Sequence, residues 1–349
     1  MEDFFSKYPI SEKTIAVGVS GGADSLALVL RLHEFQKKVV ALTVDHGLRP
    51  DSYQEAEYVA SIMAKFGIEH HILIWQGEKP QTGIEEAARE ARYQLMIEFC
   101  RQNDIKYLAI GHHLRDQAET FLLRLARGSG VFGLSSILPL SQRDDITIIR
   151  PQLSDSPEDL RQYLINKNIK WIEDPMNDSD EFTRVKIRKF LPQLKEIGMD
   201  EKRLADTAFV LSQTREFLQN KCDEFISACV RWYGLRVASV SINNLKTCEK
   251  EIMRLAIGQL IQQISRKNYL PSAKALEEII DNIIDFKGCT LGGCELEVAL
   301  QRLWIMPQNT TKEIMSSKQW DDFVSNHQDF RNSGLPYKVR FAIKNNWEC

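Results

Sequence analysis

The sequence predicts an α/β protein: a doubly wound parallel sheet, followed by a mainly helical domain that carries a short β-hairpin. Three observations predict it. Short, nearly unbroken apolar runs alternate with longer amphipathic stretches through the first half. A glycine turn joins the first such run to the first amphipathic stretch. Beyond about Arg203 the texture changes to long helical periodicities. At 349 residues two domains are expected, and 43% hydrophobic residues are enough to give each a core.

Thr14–Ser20, Val39–Val44, His71–Trp75, Tyr107–Gly111 and Ile146–Arg150 read as strands. They are short, β-branched and continuous, as strands covered on both faces are. Helical patterns lie between them, over Ser25–Phe35, Ser52–Phe66, Glu85–Asn103 and Asp116–Ala126. This alternation implies right-handed crossovers and a parallel sheet, with ligands beyond the carboxyl ends of the strands. Later, Leu204–Cys229, Cys248–Ile264 and Pro271–Ile284 read as helices, and Cys294–Leu300 with Leu303–Met306 as the hairpin. The basic, proline-containing segment Thr183–Arg203 is the expected boundary. It divides the chain into a parallel-sheet domain (1–203), a mainly helical domain (204–306) and a tail (307–349) of weak periodicity.

Composition excludes several classes. No stretch approaches the roughly 18 apolar residues of a membrane helix. Met1–Ile10 carries Glu2 and Asp3 and lacks the basic start and apolar core of a secretory signal. A cytoplasmic protein is expected. The seven cysteines are odd in number, irregular in spacing and form no CxxC pair, so bland thiols are expected and not a disulfide framework or metal site. The net charge of -3 gives no sign of nucleic-acid binding, which would have to come from local basic patches.

Ser20-Gly21-Gly22-Ala23-Asp24-Ser25 follows the first strand and opens the first helix. Two glycines let the backbone turn tightly and approach a ligand. The N–H groups and positive end of the helix then face an anion. Ser20 and Ser25 add hydroxyls, and Asp24 beside phosphates points to Mg²⁺. Gly, Ser and Asp are also ordinary turn and cap residues. The six-residue pattern, however, should arise by chance in roughly one of a few thousand chains of this length, and here it falls at the first βα turn. It is neither a Walker loop nor GxGxxG.

Other residues gather at the same strand ends. Asp116 and Glu119 are i and i+3, so both carboxylates share one helix face. They suit an ammonium group, its proton or Mg²⁺, and equally a solvated face near a helix N-terminus. His112 and His113 point apart on an extended chain, so at most one faces a ligand, and a nucleotide or base contact is preferred for it. Asp45 ends the second strand, where ribose, a metal or a simple turn before Gly47 would each fit. Arg89 and Arg92 suit a carboxylate or a phosphate, or surface ion pairs. Arg124 and Arg127 precede Gly128-Ser129-Gly130, and Thr183–Phe190 interleaves Arg184 and Arg188 with apolar residues. Both segments suit an RNA backbone. Trp171 and Trp304 read as packing residues.

The loop Ser20–Ser25 resembles the PP-loop of the ATP pyrophosphatases, which cleave ATP to AMP and pyrophosphate and use AMP to activate a carbonyl oxygen. Val44-Asp45-His46-Gly47-Leu48-Arg49, Glu85–Tyr93 (EEAAREARY), Gly111-His112-His113, Asp116-Gln117-Ala118-Glu119-Thr120 and Arg124–Gly130 follow in order. Together they are similar to the tRNA(Ile)-lysidine synthetases, densely over 12–192 and weakly through Gly292-Gly293 and Leu303-Trp304-Ile305. The resemblance implies a sheet of the PP-loop, adenine-nucleotide-binding type. The implied substrates are ATP, L-lysine and the wobble cytidine of the CAU-anticodon isoleucine tRNA, with Mg²⁺ as cofactor. Ser20, Gly21, Gly22, Ala23, Asp24, Ser25, Asp45, His46 and His112 would hold ATP, with Mg²⁺ at Asp24. Asp24, Asp116 and Glu119 would be catalytic. Arg89, Arg92, Arg124, Arg127, Arg184 and Arg188 would bind substrate and RNA. The oligomeric state stays open, a homodimer included.

The chain also departs from the family. Arg115-Asp116 stands where two aspartates are usual, Met176 where serine is usual and Val185 where asparagine is usual. It ends earlier than long members, which implies a missing or vestigial third domain. One competing reading is another PP-loop enzyme, a thiolase or an amidating synthetase; the absence of CxxC argues against thiolation. A non-catalytic nucleotide- or RNA-binding module is the other, and Arg115 favours it.

Overall fold

Each apolar run expected as a strand in the first half pairs into one sheet. The computed structural model describes residues 1–349 apart from 12–13, 36, 49–51, 78, 81, 174–182, 268, 282–287, 309–316, 328–333 and 347–349. Arg49, the segment 174–177 and the last residues of the expected helix Pro271–Ile284 lie outside the described residues. The chain forms two units, Met1–Arg215 and Glu216–Cys349.

The first unit contains α1 (Glu2–Lys7), β1 (Thr14–Gly18), α2 (Ala23–Glu34), β2 (Lys38–Asp45), α3 (Ser52–Lys65), β3 (Glu69–Ile74) and α4 (Ile84–Gln102). It continues with β4 (Tyr107–Ala109), α5 (Leu114–Ala126), α6 (Val131–Leu134), β5 (Leu140–Arg143), β6 (Ile146–Ile149), α7 (Pro157–Asn166), α8 (Thr183–Glu196) and α9 (Glu201–Cys229), which runs across the unit boundary. The sheet order is β3-β2-β1-β4-β6-β5. All pairings are parallel except β5 with β6. β5 is a half-exposed edge strand, LSQR, whose polar residues gave no strand signal.

Strand pleating divides the core. Ile15, Val17, Val39 and Ala41 face α1, α2, α3 and α7. Ala16, Val40, Leu42, Leu108, Ile146 and Ile148 face Tyr93, Met96, Ile97 and Cys100 of α4. These opposite sets are the period of two that buries a strand on both faces. α2 is buried nearly all round, with Leu26, Leu28, Leu30 and Leu32 inaccessible, so it is a rigid post behind the loop that starts it. α8 packs Leu191 and Leu194 against Ala118 and Phe121 of α5.

The strand order reverses between β1 and β4, which are direct neighbours with Val17 opposite Ala109. This is the switch point of a doubly wound sheet, where a crevice opens at the carboxyl ends. It brings the loop after β1 beside the segment after β4.

The second unit contains β7 (Val230–Trp232), β8 (Ala238–Ser241), α10 (Ile242–Thr247), α11 (Lys250–Ser265), α12 (Ala273–Asp281), β9 (Cys289–Leu291), β10 (Cys294–Ala299), β11 (Arg302–Pro307), α13 (Ser317–Asn326) and α14 (Tyr337–Asn345). The expected hairpin is β10–β11. It turns at Leu300 and Gln301, both at positive φ (53° and 57°), as a two-residue type I′ turn requires. Three short strands extend it into an antiparallel sheet of order β7-β8-β11-β10-β9. Leu303 and Ile305 face α11 and α12, whereas Trp304 and Met306 face Trp320 and Val339. Trp304 is buried and donates Nε1–H to Ala299 O, so it packs the core. Among the described residues no helix is long and apolar enough to cross a membrane.

Candidate active site

The loop after β1 has the conformation that its glycines predict. Gly21 sits at φ +86°, and a Cβ there would meet Ile172 Cδ1 at 2.6 Å, so only glycine fits. Ser25 Oγ donates to Gly22 O at 3.0 Å and accepts Ser20 N–H at 3.1 Å, so the two serines brace the turn. Gly22 is the N-cap of α2 and supplies no side-chain cap, whereas α5 and α7 are capped by His113 and Ser156. The first N–H groups of any helix lack intrahelical partners. At α2 they face the crevice with the helix dipole behind them, which suits an anion.

Gly111 brings the second segment close. A Cβ on it would lie 3.1 Å from the backbone C and O of Asp24 and the N of Ser25. Gln152, fully buried, donates Nε2–H to Asp24 O at 2.8 Å and fixes the same turn from the β6 side.

His112 and His113 then divide the crevice by charge. His113 Nε2 lies 3.5 Å from Asp24 Oδ2, and its Nδ1 lies 3.4 Å from Asp116 Oδ2. It forms a capping box with Asp116: Asp116 N–H donates to His113 Nδ1 at 3.3 Å, and His113 N–H donates to Asp116 Oδ2 at 3.0 Å. Burial alone would lower the His113 pKa, but Asp24, Asp116 and Glu119 outweigh it and the value is raised. His112 has the opposite surroundings. Burial, followed by the charges of Arg150, Arg89, Arg184 and Arg92, pushes it down to about 3. One side of the His112-His113 pair is thus acidic and the other strongly basic.

Several buried polar atoms around this crevice have no hydrogen-bond partner: His46 Nδ1, Arg92 Nε, Glu119 Oε2 and Thr120 Oγ1. Such atoms are costly unless a ligand or water meets them. Asp45 is committed on one oxygen, since its Oδ1 accepts Gly47 N–H at 2.8 Å. His46 packs edge-on against Trp75, and burial together with the charge of Arg92 lowers its pKa.

Residues 1–194 match the PP-loop domain family. The tRNA(Ile)-lysidine synthase of Wolbachia pipientis wMel is 33% identical over 327 residues, which cover 89% of this chain and 76% of that protein. The enzyme of the same name from Wolbachia sp. subsp. Brugia malayi (strain TRS) is 32% identical over 340 residues, covering 93% and 79%. The chain belongs to the tRNA(Ile)-lysidine synthase family. Among solved structures, the U34-tRNA thiolase NcsA from Methanococcus maripaludis aligns with a TM-score of 0.52 at 17% identity, over 60% of this chain and 77% of its own. That likeness shows the shared fold.

Against the tRNA(Ile)-lysidine synthase pattern, the unusual Arg115 is accounted for by packing. Its guanidinium pairs with Glu158 of α7 at 2.5 Å and Glu201 of α9 at 2.7 Å. It joins three helices and does not enter the His113 group. Of the six arginines that the lysidine synthase resemblance assigns to substrate and RNA, Arg89, Arg92 and Arg184 gather around His112. Arg124 donates to Gly133 O and Ser136 O at 2.7 and 2.9 Å and so holds the glycine-rich loop. Arg127 is exposed. Arg188 donates Nε–H at 2.9 Å to Glu119 Oε1, and Glu119 is fully buried. Sequence reasoning placed His112 and not His113 at the ligand, and missed Gln152 and Arg150. Only for His113 was there a local signal, a side chain three residues before Asp116 at a helix start.

Among the described residues no three His, Cys, Asp or Glu side chains come together as a metal cage. Mg²⁺ does not need one. It commonly takes one or two protein carboxylates and completes its shell with phosphate oxygens and water. Asp24, at the uncapped start of α2 and over a third exposed, is an oxygen donor of that kind.

Proposed function

We propose that this chain converts the wobble cytidine of the CAU-anticodon isoleucine tRNA to lysidine, consuming ATP and L-lysine. One observation carries the reading: an uncapped helix N-terminus opens onto a crevice that is acidic around His113 and basic around His112. The cytosine C2 oxygen attacks the α-phosphorus of ATP; the bond to the β-phosphate oxygen breaks and pyrophosphate leaves. The ε-amine of lysine then attacks C2, the C2–O bond breaks and AMP leaves.

The N–H groups of the Gly22–Ser25 turn hold the phosphates, and Ser20 and Ser25 fix that turn. Bound at Asp24, Mg²⁺ would neutralise charge developing on the pyrophosphate. Free lysine presents a neutral amine in only about one molecule in a few thousand at neutral pH. Asp116 and Glu119 hold its ammonium and accept the proton. Arg89 and Arg92 take the lysine carboxylate or a phosphate. Arg127 and Arg184 meet the RNA backbone, and residues 204–306 hold the body of the tRNA.

The test is incubation with ATP, Mg²⁺, labelled lysine and an unmodified isoleucine tRNA transcript. Label enters the RNA with wild type and is lost with Asp24→Ala. Label that persists in the variant, or is absent with wild type, contradicts the proposal.

A further inference from the structure

Arg150 directly follows β6, is buried, and belongs to no motif of the phosphate loop or the acidic group. Its Nη1 donates to Leu138 O and Ser141 Oγ, both at 2.9 Å. Held in this way, its Nε–H points at His112 Nδ1 from 3.1 Å. A guanidinium can only donate hydrogen bonds, so the imidazole nitrogen facing it must carry a lone pair. We infer that Arg150 is a positioning residue, fixing His112 as the neutral tautomer whose Nε2–H is presented to an anionic oxygen of the substrate.

The anionic partner follows from the surroundings. The charges acting most strongly on His112 are those of Arg150, just after β6, Arg89 and Arg92 from α4 and Arg184 from α8, all cationic. Burial and these charges together keep the ring neutral, and they draw oxyanions to the same place. With one nitrogen engaged by Arg150 and the other bearing the proton, His112 is no general base. It is a hydrogen-bond donor that keeps its proton through turnover. The acceptor is an oxyanion of either the ATP phosphates or the lysine carboxylate. That choice rests on the lysidine-forming reading, whereas the tautomer does not.

Selective ¹⁵N labelling of histidine rings tests the tautomer in the resting, full-length protein, with His112→Gln to assign the signal. The expected spectrum shows His112 protonated on Nε2 only, unchanged between pH 5.5 and 8.5. In Arg150→Met the ring exchanges between tautomers, and Arg150→Lys, which still donates, restores part of the wild-type signal. In turnover, Arg150→Met and His112→Gln each lose about 10- to 100-fold, and the double variant loses no more than either alone. If the acceptor is a phosphate, the loss falls on tRNA-dependent pyrophosphate release measured without lysine; if a carboxylate, on the KM for lysine alone. A wild-type ring protonated on Nδ1, a ring unaffected by Arg150→Met, or fully additive losses would overturn the inference. An intact tautomer in a protein that incorporates no lysine would count against the proposed function and leave Arg150's role standing.

Discussion

At the scale of single residues, the adjacent histidines do opposite work because their neighbours differ. His113 is surrounded by Asp24, Asp116 and Glu119, and His112 by four arginines. The consequence for stability has a definite sign. The folded His112 pKa is about 3, below the ordinary 6.5, so the unfolded chain binds the proton more readily. Stability contributed by the neutral ring is complete above pH 6.5 and falls as the pH drops from 6.5 towards 3, by at most about 1.4 kcal/mol per pH unit. His46 and His70 are shifted in the same direction, chiefly by burial, and add to the slope. Urea midpoints measured from pH 7 to pH 4 are therefore expected to fall more steeply for wild type than for His112→Gln. Parallel slopes would mean that His112 is solvated.

At the scale of elements, the site depends on how closely the segment after β4 approaches the first turn of α2. Gly111→Ala places a methyl 3.1 Å from the backbone of Asp24 and Ser25, which cannot swing aside as a side chain would. It is expected to cost about 1–3 kcal/mol in thermal unfolding and to raise the KM for ATP. Gly130→Ala is the control, since nothing lies within 4 Å of the added carbon and its φ of −81° suits alanine. Equal behaviour of the two variants would show that the close approach does not matter. This scale also shows what the sequence made legible. β1, β2 and α2 were readable because their signals are local: β-branched runs, then a glycine turn, then helical spacing. β5 was not, because an edge strand half in water has no apolar run, and β7 and β9 are only three residues long. The Ser20–Ser25 turn could be read for the same local reason. Arg150, Gln152 and the Arg115 ion pairs could not, since their partners lie 38, 128, 43 and 86 residues away in sequence. Only the strand order brings such residues together.

At the scale of the whole molecule, a net charge of -3 conceals an uneven distribution within the first unit. Burial is the main cause that lowers the pKa values of His112, Arg124 and Arg215, but the charge of Arg184 adds to it at His112 and Arg124, and that of Arg124 at Arg215, so a basic track leads away from the crevice. Arg127 is exposed beside it, whereas Arg124 is engaged by backbone carbonyls. Arg127→Ala and Arg184→Ala are expected to weaken tRNA binding and to reduce the slope of log affinity against log salt by about 1 each. Arg124→Ala should instead lower the melting temperature. Unchanged salt slopes in the first two variants would place the RNA elsewhere.

The central claim is that the turn between β1 and α2 holds ATP so that AMP, and no other part of it, is transferred to the RNA. The most direct measurement uses ATP labelled at the α-phosphorus, with the tRNA present and lysine withheld. The account predicts that the RNA acquires the label and that added lysine discharges it as AMP. Label that reaches the RNA only from the γ-phosphorus, or α-label that lysine does not discharge, would contradict it.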